Sequence, residues 1–193
     1  MMYTLIGMPG VGKSCMARAV ASKLKLRALD ADRLIVKRTG MPLWQIIETF
    51  GLDGFKKIEE ETLLSVRGDG ILLSTGGSAV YYPEVMEHCR SAGKILYLYA
   101  SLPVIAERLG DFSKRGIVLR PGQTLADLYA ERTALYEKYA DFTVSCDGRA
   151  YGRYQAEVMK IIAAVTKANN VVEEADRLTP MQIRRIAESV ELS

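Results

Sequence analysis

Short apolar runs at residues 3–6, 27–29, 71–74, 95–99 and 142–145 alternate with longer stretches whose apolar residues recur every three or four positions. Short apolar runs lacking polar alternation predict strands covered on both faces, and the intervening spacing predicts helices. Helix is predicted over 14–25, where Met16, Ala17, Val20, Ala21 and Leu24 make one face. Two short helices, 31–39 and 43–50, are split by Gly40 and Pro42. A longer helix at 54–67 carries Phe55, Ile58, Leu63 and Val66 near one stripe, and another at 83–92 opens on Pro83, the residue best suited to a first helical position. Helical spacing returns at 124–140 and 151–167. The alternation predicts an α/β fold with three layers, α/β/α, around a five-stranded parallel sheet.

Two segments break the alternation. Residues 111–123, DFSKRGIVLRPGQ, show no period, and an unpatterned stretch of that length in a compact domain predicts a functional loop of the lid type. Residues 168–193 stand apart from the domain at 1–167 as a helical extension. There Thr179-Pro180-Met181-Gln182 forms a capping box, and Ile183, Ile186, Ala187 and Val190 then make one stripe, expected to dock on the chain's own domain.

Composition narrows the function classes. The chain has 193 residues and a net charge of +3, with no dense Lys/Arg run, which argues against nucleic acid as a partner. No apolar run approaches the length of a membrane span. Cys15, Cys89 and Cys146 are far apart and odd in number, so reduced, mostly buried thiols are expected. The first strand begins at once, leaving no room for a leader, and a cytoplasmic enzyme is the expectation.

The chemistry is concentrated at the ends of the predicted strands. Gly7-Met8-Pro9-Gly10-Val11-Gly12-Lys13-Ser14 matches G-x-x-x-x-G-K-[ST] and stands between a strand and a helix N-terminus. In that setting the backbone N–H groups of Gly10, Val11, Gly12, Lys13, Ser14 and Cys15 curl around phosphate oxygens; Lys13 reaches the β/γ-phosphates and Ser14 a Mg²⁺ ion. The Cys15 side chain is expected in the core. Leu29-Asp30-Ala31-Asp32 sets two carboxylates at the edge where open α/β sheets bind ligands, although Asp32 could equally cap the following helix. Ser74-Thr75-Gly76-Gly77-Ser78 allows close backbone approach to a ligand, or is simply a tight turn. His88 reads as a surface residue and Trp44 as core.

In order and spacing, GMPGVGKS, the DAD pair, FKKIEEE at 55–61, STGGS at 74–78, KRGIV in the lid and ERTALY at 131–136 resemble the shikimate kinases, from about residue 1 to 167. The resemblance implies a P-loop fold and transfer of a phosphoryl group from MgATP to shikimate, a small carboxylated polyol, by a monomer. It assigns acceptor binding to 31–62 and closure to 111–123. Asp30 would order Mg²⁺ with Ser14, and Asp32 would meet the acceptor hydroxyl and take its proton. Arg132 would grip the substrate carboxylate, Arg115 would reach the transferring phosphate, Arg108 would lie against adenine, and Gly76 and Gly77 would flank the substrate ring. Three features depart from the family pattern. Lys56 replaces an arginine of the carboxylate grip, Ser78 replaces a third glycine, and the lid reads Arg115-Gly116-Ile117-Val118, with Arg120 as a second candidate for the lid arginine. These departures leave open a kinase for another small hydroxy acid. A non-catalytic ATP-binding module is the more distant alternative.

Overall fold

A computed structural model describes residues 1–110, 120 and 122–176, with the backbone alone for 171–176. The lid arginine Arg115 and the capping box and stripe of the tail lie outside the described residues. Two compact units are formed, Met1–Val158 and Met159–Ser193. In the first, five strands, β1 (Met2–Ile6), β2 (Arg27–Asp30), β3 (Ile71–Ser74), β4 (Gly93–Tyr99) and β5 (Phe142–Ser145), form one parallel sheet in the order β2-β3-β1-β4-β5. β1 is central and buried throughout, as is β3.

The strand order positions the site. Because the chain moves from β1 outward to β2 and later crosses to β4, the C-terminal ends of β2, β3 and β1 lie side by side at the point where the winding reverses. Register pairs Asp30 with Ser74, and Ser74 with Leu5, so the segments following all three strands emerge at one edge. Open α/β sheets bind ligands at such an edge.

The helices are α1 (Lys13–Leu24), α2 (Ala31–Thr39), α3 (Leu43–Leu64), α4 (Pro83–Ala92), α5 (Leu102–Leu109), α6 (Leu125–Tyr139) and α7 (Tyr151–Asp176). α1 packs on β2 and β3, α4 on β1 and β4. The two-helix reading of 43–67 corresponds to α3, which is broken at Gly51 by φ 68° and ψ 179°, values outside the helical region. α5 has no counterpart in the pattern: Pro103 in its first turn is a start signal, but the helix is short and follows directly on the apolar run of β4. α7 continues past the predicted 167 to Asp176, since neither glycine nor proline interrupts 168–176. No described helix is long and apolar enough to cross a membrane.

Candidate active site

The loop between β1 and α1 is built for an anion. Gly12 caps α1 with φ 104°, a conformation that strains any residue with a Cβ, and, being glycine, offers no side-chain cap to the first-turn N–H groups. Lys13 is buried and donates through its Nζ to the carbonyls of Gly7 at 2.7 Å and Met8 at 3.1 Å. Burial depresses its pKa to about 8; Asp32 opposes that shift, Arg132 adds to it and Asp30 opposes it. Ser14 is exposed, with its Oγ 3.4 Å from that of Ser74 at the end of β3. From α5, Arg108 donates to the Val11 carbonyl at 3.3 Å, which sets its guanidinium against the loop. Cys15 is exposed, contrary to the core expectation. The buried stripe of α1 runs through Lys13, Met16, Ala17, Val20 and Ala21, and position 15 falls off it.

Beside the loop stand the two aspartates. Asp30, not Asp32, is the N-cap of α2, accepting from the Arg33 N–H at 3.2 Å. The helix begins two residues earlier than a cap at Asp32 would require, and Asp32 sits in its first turn with its side chain free of that duty. Asp32 is exposed at its surface, yet enough protein surrounds its carboxylate that burial, with Asp30 nearby, raises its pKa; Lys13 pulls the other way. A carboxylate so placed is a stronger base than an ordinary aspartate.

The turn after β3 gathers the remaining groups. A Cβ on Gly76 would lie 2.4 Å from the Glu59 Oε1, and one on Gly77 would lie 2.9 Å from both the Arg132 Nη1 and the Pro9 Cδ. The phosphate loop, α3 and α6 therefore all close on two adjacent residues, and only glycine fits between them. Arg132 is buried on the α6 stripe Leu128, Arg132, Tyr136. Its Nε donates to the Tyr81 hydroxyl at 3.3 Å, and its guanidinium carbon stands 5.3 Å from the centre of the Tyr81 ring. Tyr136 secures the turn by donating to the Gly77 carbonyl at 2.8 Å.

Glu59 is the group that sequence reasoning missed. It is 1% exposed and accepts from the Ser78 hydroxyl at 2.9 and 2.7 Å and from the Tyr82 hydroxyl at 2.8 Å. Burial raises its pKa; the Ser78 and Tyr82 hydrogen bonds counter that, Asp32 adds to it, and Arg132 counters it. The available signal was its place on the inward stripe of α3, four residues after Phe55 and four before Leu63. An ionisable residue at such a position needs partners. Lys56 does not join the cluster: it is exposed and pairs with Asp53 at 2.9 Å. Trp44 is 66% exposed rather than core, because its neighbour Ile46 takes the inward position on that turn. His88 is half-buried, with Nε2 2.8 Å from the Val66 carbonyl.

The family model described as shikimate kinase matches residues 9–166. A shikimate kinase of Francisella tularensis subsp. novicida is 36% identical over 150 residues, covering 75% of this chain and 84% of its own length. One from Xanthomonas axonopodis pv. citri is 33% identical over 163 residues, or 83% of this chain and 91% of that protein. The solved shikimate kinase of Acinetobacter baumannii in complex with shikimate superposes with a TM-score of 0.74 at 28% identity, over 84% of this chain and 93% of that one. That of Aquifex aeolicus superposes at 0.73 and 29% identity, over 88% and 98%.

Proposed function

The chain belongs to the shikimate kinase family, and on that premise we propose that it transfers the γ-phosphoryl group of ATP to the 3-hydroxyl of shikimate. The observation that carries the proposal is the convergence at Gly76-Gly77, where the phosphate loop meets a buried arginine and a buried carboxylate. Phosphoryl transfer asks for in-line positioning and charge neutralisation, and both halves of that requirement are within reach of this turn.

The loop N–H groups from Gly10 to Cys15 and the Lys13 ammonium hold the β/γ-phosphates, the ammonium leaving the Gly7 and Met8 carbonyls to do so. Arg108 supports the loop from the adenine side. Arg132 takes the carboxylate of the acceptor through its planar fork, with Gly76, Gly77 and Ser78 lining the ring. Asp32 accepts the hydroxyl proton as the new P–O bond forms, and the environment that raises its pKa suits that role. Arg115, in the lid, is the candidate for the charge that develops on the transferring group.

The oxygen donors present fit a hard cation. Ser14 Oγ is exposed beside Ser74 and Asp30 stands at the same strand edge, and Mg²⁺ in phosphoryl-transfer sites takes only one or two protein oxygens, the rest being phosphate and water. Among the described residues no cluster of three or more His, Cys, Asp and Glu is arranged for a metal. When bound there, Mg²⁺ supplies neutralisation of phosphate charge. We take the chain to act as a monomer in the cytoplasm, a reducing, ATP-containing compartment that suits its three free thiols.

The test is a coupled ADP-release assay with MgATP and shikimate beside a panel of small hydroxy acids and sugars. Turnover with shikimate, reduced about 10²–10⁴-fold by Asp32→Asn, is expected. ATP binding without transfer to any of these acceptors would sink the proposal. The outward, Asp53-paired Lys56 favours a second reading, a kinase of this fold for another hydroxy acid; faster turnover with another member of the panel would select it.

A further inference from the structure

Ser78 occupies the position where tight approach to a ring would favour glycine, and its side chain is put to a definite use. The hydroxyl lies 2.9 and 2.7 Å from the two Glu59 oxygens, so its single hydrogen is shared between them and restrains the carboxylate. The Tyr82 hydroxyl holds Oε2 from the other side at 2.8 Å. Among the described residues no Lys or Arg forms an ion pair with Glu59, and Lys56, one turn earlier on α3, is engaged with Asp53. A buried carboxylate without a paired cation depends on neutral donors for its charge and its orientation. Oε1 remains against Gly76, at the floor of the turn that also meets Arg132.

We infer that Ser78 is a positioning residue of the acceptor site: with Tyr82 it locks the Glu59 carboxylate against the Gly76-Gly77 turn, so that this carboxylate and the Arg132 guanidinium, which meets the same turn, are both fixed toward the acceptor. The role of Lys56 in holding the acceptor is thereby reduced, since the anchoring geometry is set from Ser78, Glu59 and Arg132. The acceptor side of this inference rests on the function proposed above; the pairing of Ser78 with Glu59 does not.

The titration sign follows from the groups that face Glu59. These are Asp32 from α2 and the Ser78 and Tyr82 hydroxyls after β3, together with Arg132 from α6. Glu59 has a folded pKa above its usual 4.5, chiefly through burial. Such a group weakens the fold as pH rises past the unfolded value, the penalty being complete above the folded value. Removing a donor to the ionised form enlarges that penalty, whereas the loss where the group is protonated in both states does not vary with pH.

Three variants test this: Ser78→Ala, Ser78→Thr and Tyr82→Phe. The Tm deficit of Ser78→Ala against the parent chain is expected to grow by about 4 °C between mildly acid buffer and about pH 8, and Tyr82→Phe should show the same trend. In the kinase assay the KM for shikimate should rise roughly tenfold in Ser78→Ala, with kcat and the KM for ATP within about twofold, and Ser78→Thr should restore both readouts. A pH-independent Tm deficit together with an unchanged shikimate KM would overturn the inference, leaving Ser78 a space-filling residue. If the parent chain turns over no shikimate while the pH-dependent deficit is seen, the Ser78–Glu59 pairing stands, and the acceptor-site part falls with the proposed function.

Discussion

Replacing Arg132 by lysine keeps the charge and removes the fork. In the native site the guanidinium is buried, bonded through Nε to the Tyr81 hydroxyl at 3.3 Å and stacked 5.3 Å from that ring's centre, with Nη1 against Gly77. On the proposed assignment the arginine makes two charge-assisted bonds to the substrate carboxylate, and an ammonium in the same pocket retains one. Losing one such bond removes about 1.5–3 kcal/mol of acceptor binding, which corresponds to a KM for shikimate roughly 10- to 150-fold higher. The structural loss is smaller. It comprises a single long hydrogen bond to Tyr81, about 1 kcal/mol, or about 2–4 °C in Tm for a chain of this size. The assay is steady-state ADP release with shikimate varied at saturating ATP, then with ATP varied at saturating shikimate, alongside a thermal melt. A large rise in shikimate KM with an unchanged ATP KM and a nearly native Tm is the expected signature. A shikimate KM within about twofold of the parent value, or equal rises in both KM values, would refute the assignment of Arg132 to the acceptor carboxylate.

Other outcomes follow from the same geometry. Lys13, depressed to about 8 by burial, loses its charge as pH rises through that value, so kcat/KM for ATP should fall above about pH 8. Bound phosphates favour the ammonium, so the kcat profile should break at higher pH; a kcat/KM that stays flat to about pH 9.5 would contradict this. In Gly76→Ala the added Cβ would stand 2.4 Å from the Glu59 Oε1, so Tm should drop by about 2–8 °C and the shikimate KM should rise, while ATP affinity, measured by equilibrium titration, holds. Cys15 is exposed, whereas Cys89 and Cys146 are buried with thiol pKa values raised by that burial, Cys146 to about 11. A thiol reagent should therefore label Cys15 first in the native chain, more slowly with MgATP present, and equal labelling of all three would overturn that order.

Much of the architecture was legible along the chain because its causes are local. The period of apolar residues marks β1, β3 and β5 and the span of α4 nearly to the residue, since strand and helix expose faces at fixed spacing. The break near residue 51 was legible because a glycine there admits a backbone angle that ends a helix. The phosphate loop was the clearest feature of all: its ligands are mostly backbone N–H groups, so the glycines that shape the backbone are themselves the signature.

What tertiary structure alone decided concerns side chains whose fate depends on neighbours distant in sequence. Nothing local orders the sheet β2-β3-β1-β4-β5, yet that order brings the ends of β2, β3 and β1 together. Whether Asp30 or Asp32 caps α2 turned on two residues of helix start, and the outcome leaves the Asp32 side chain free of capping. Glu59 and Lys56 sit three residues apart on one helix in a run of charges, and only the stripe through Phe55 and Leu63 separates them locally. Packing against the Ser78 and Tyr82 hydroxyls draws Glu59 inward, while Lys56 faces water beside Asp53. A side chain's own chemistry says what it could do, but burial is a property of the whole fold, and burial selects which carboxylates and cations act.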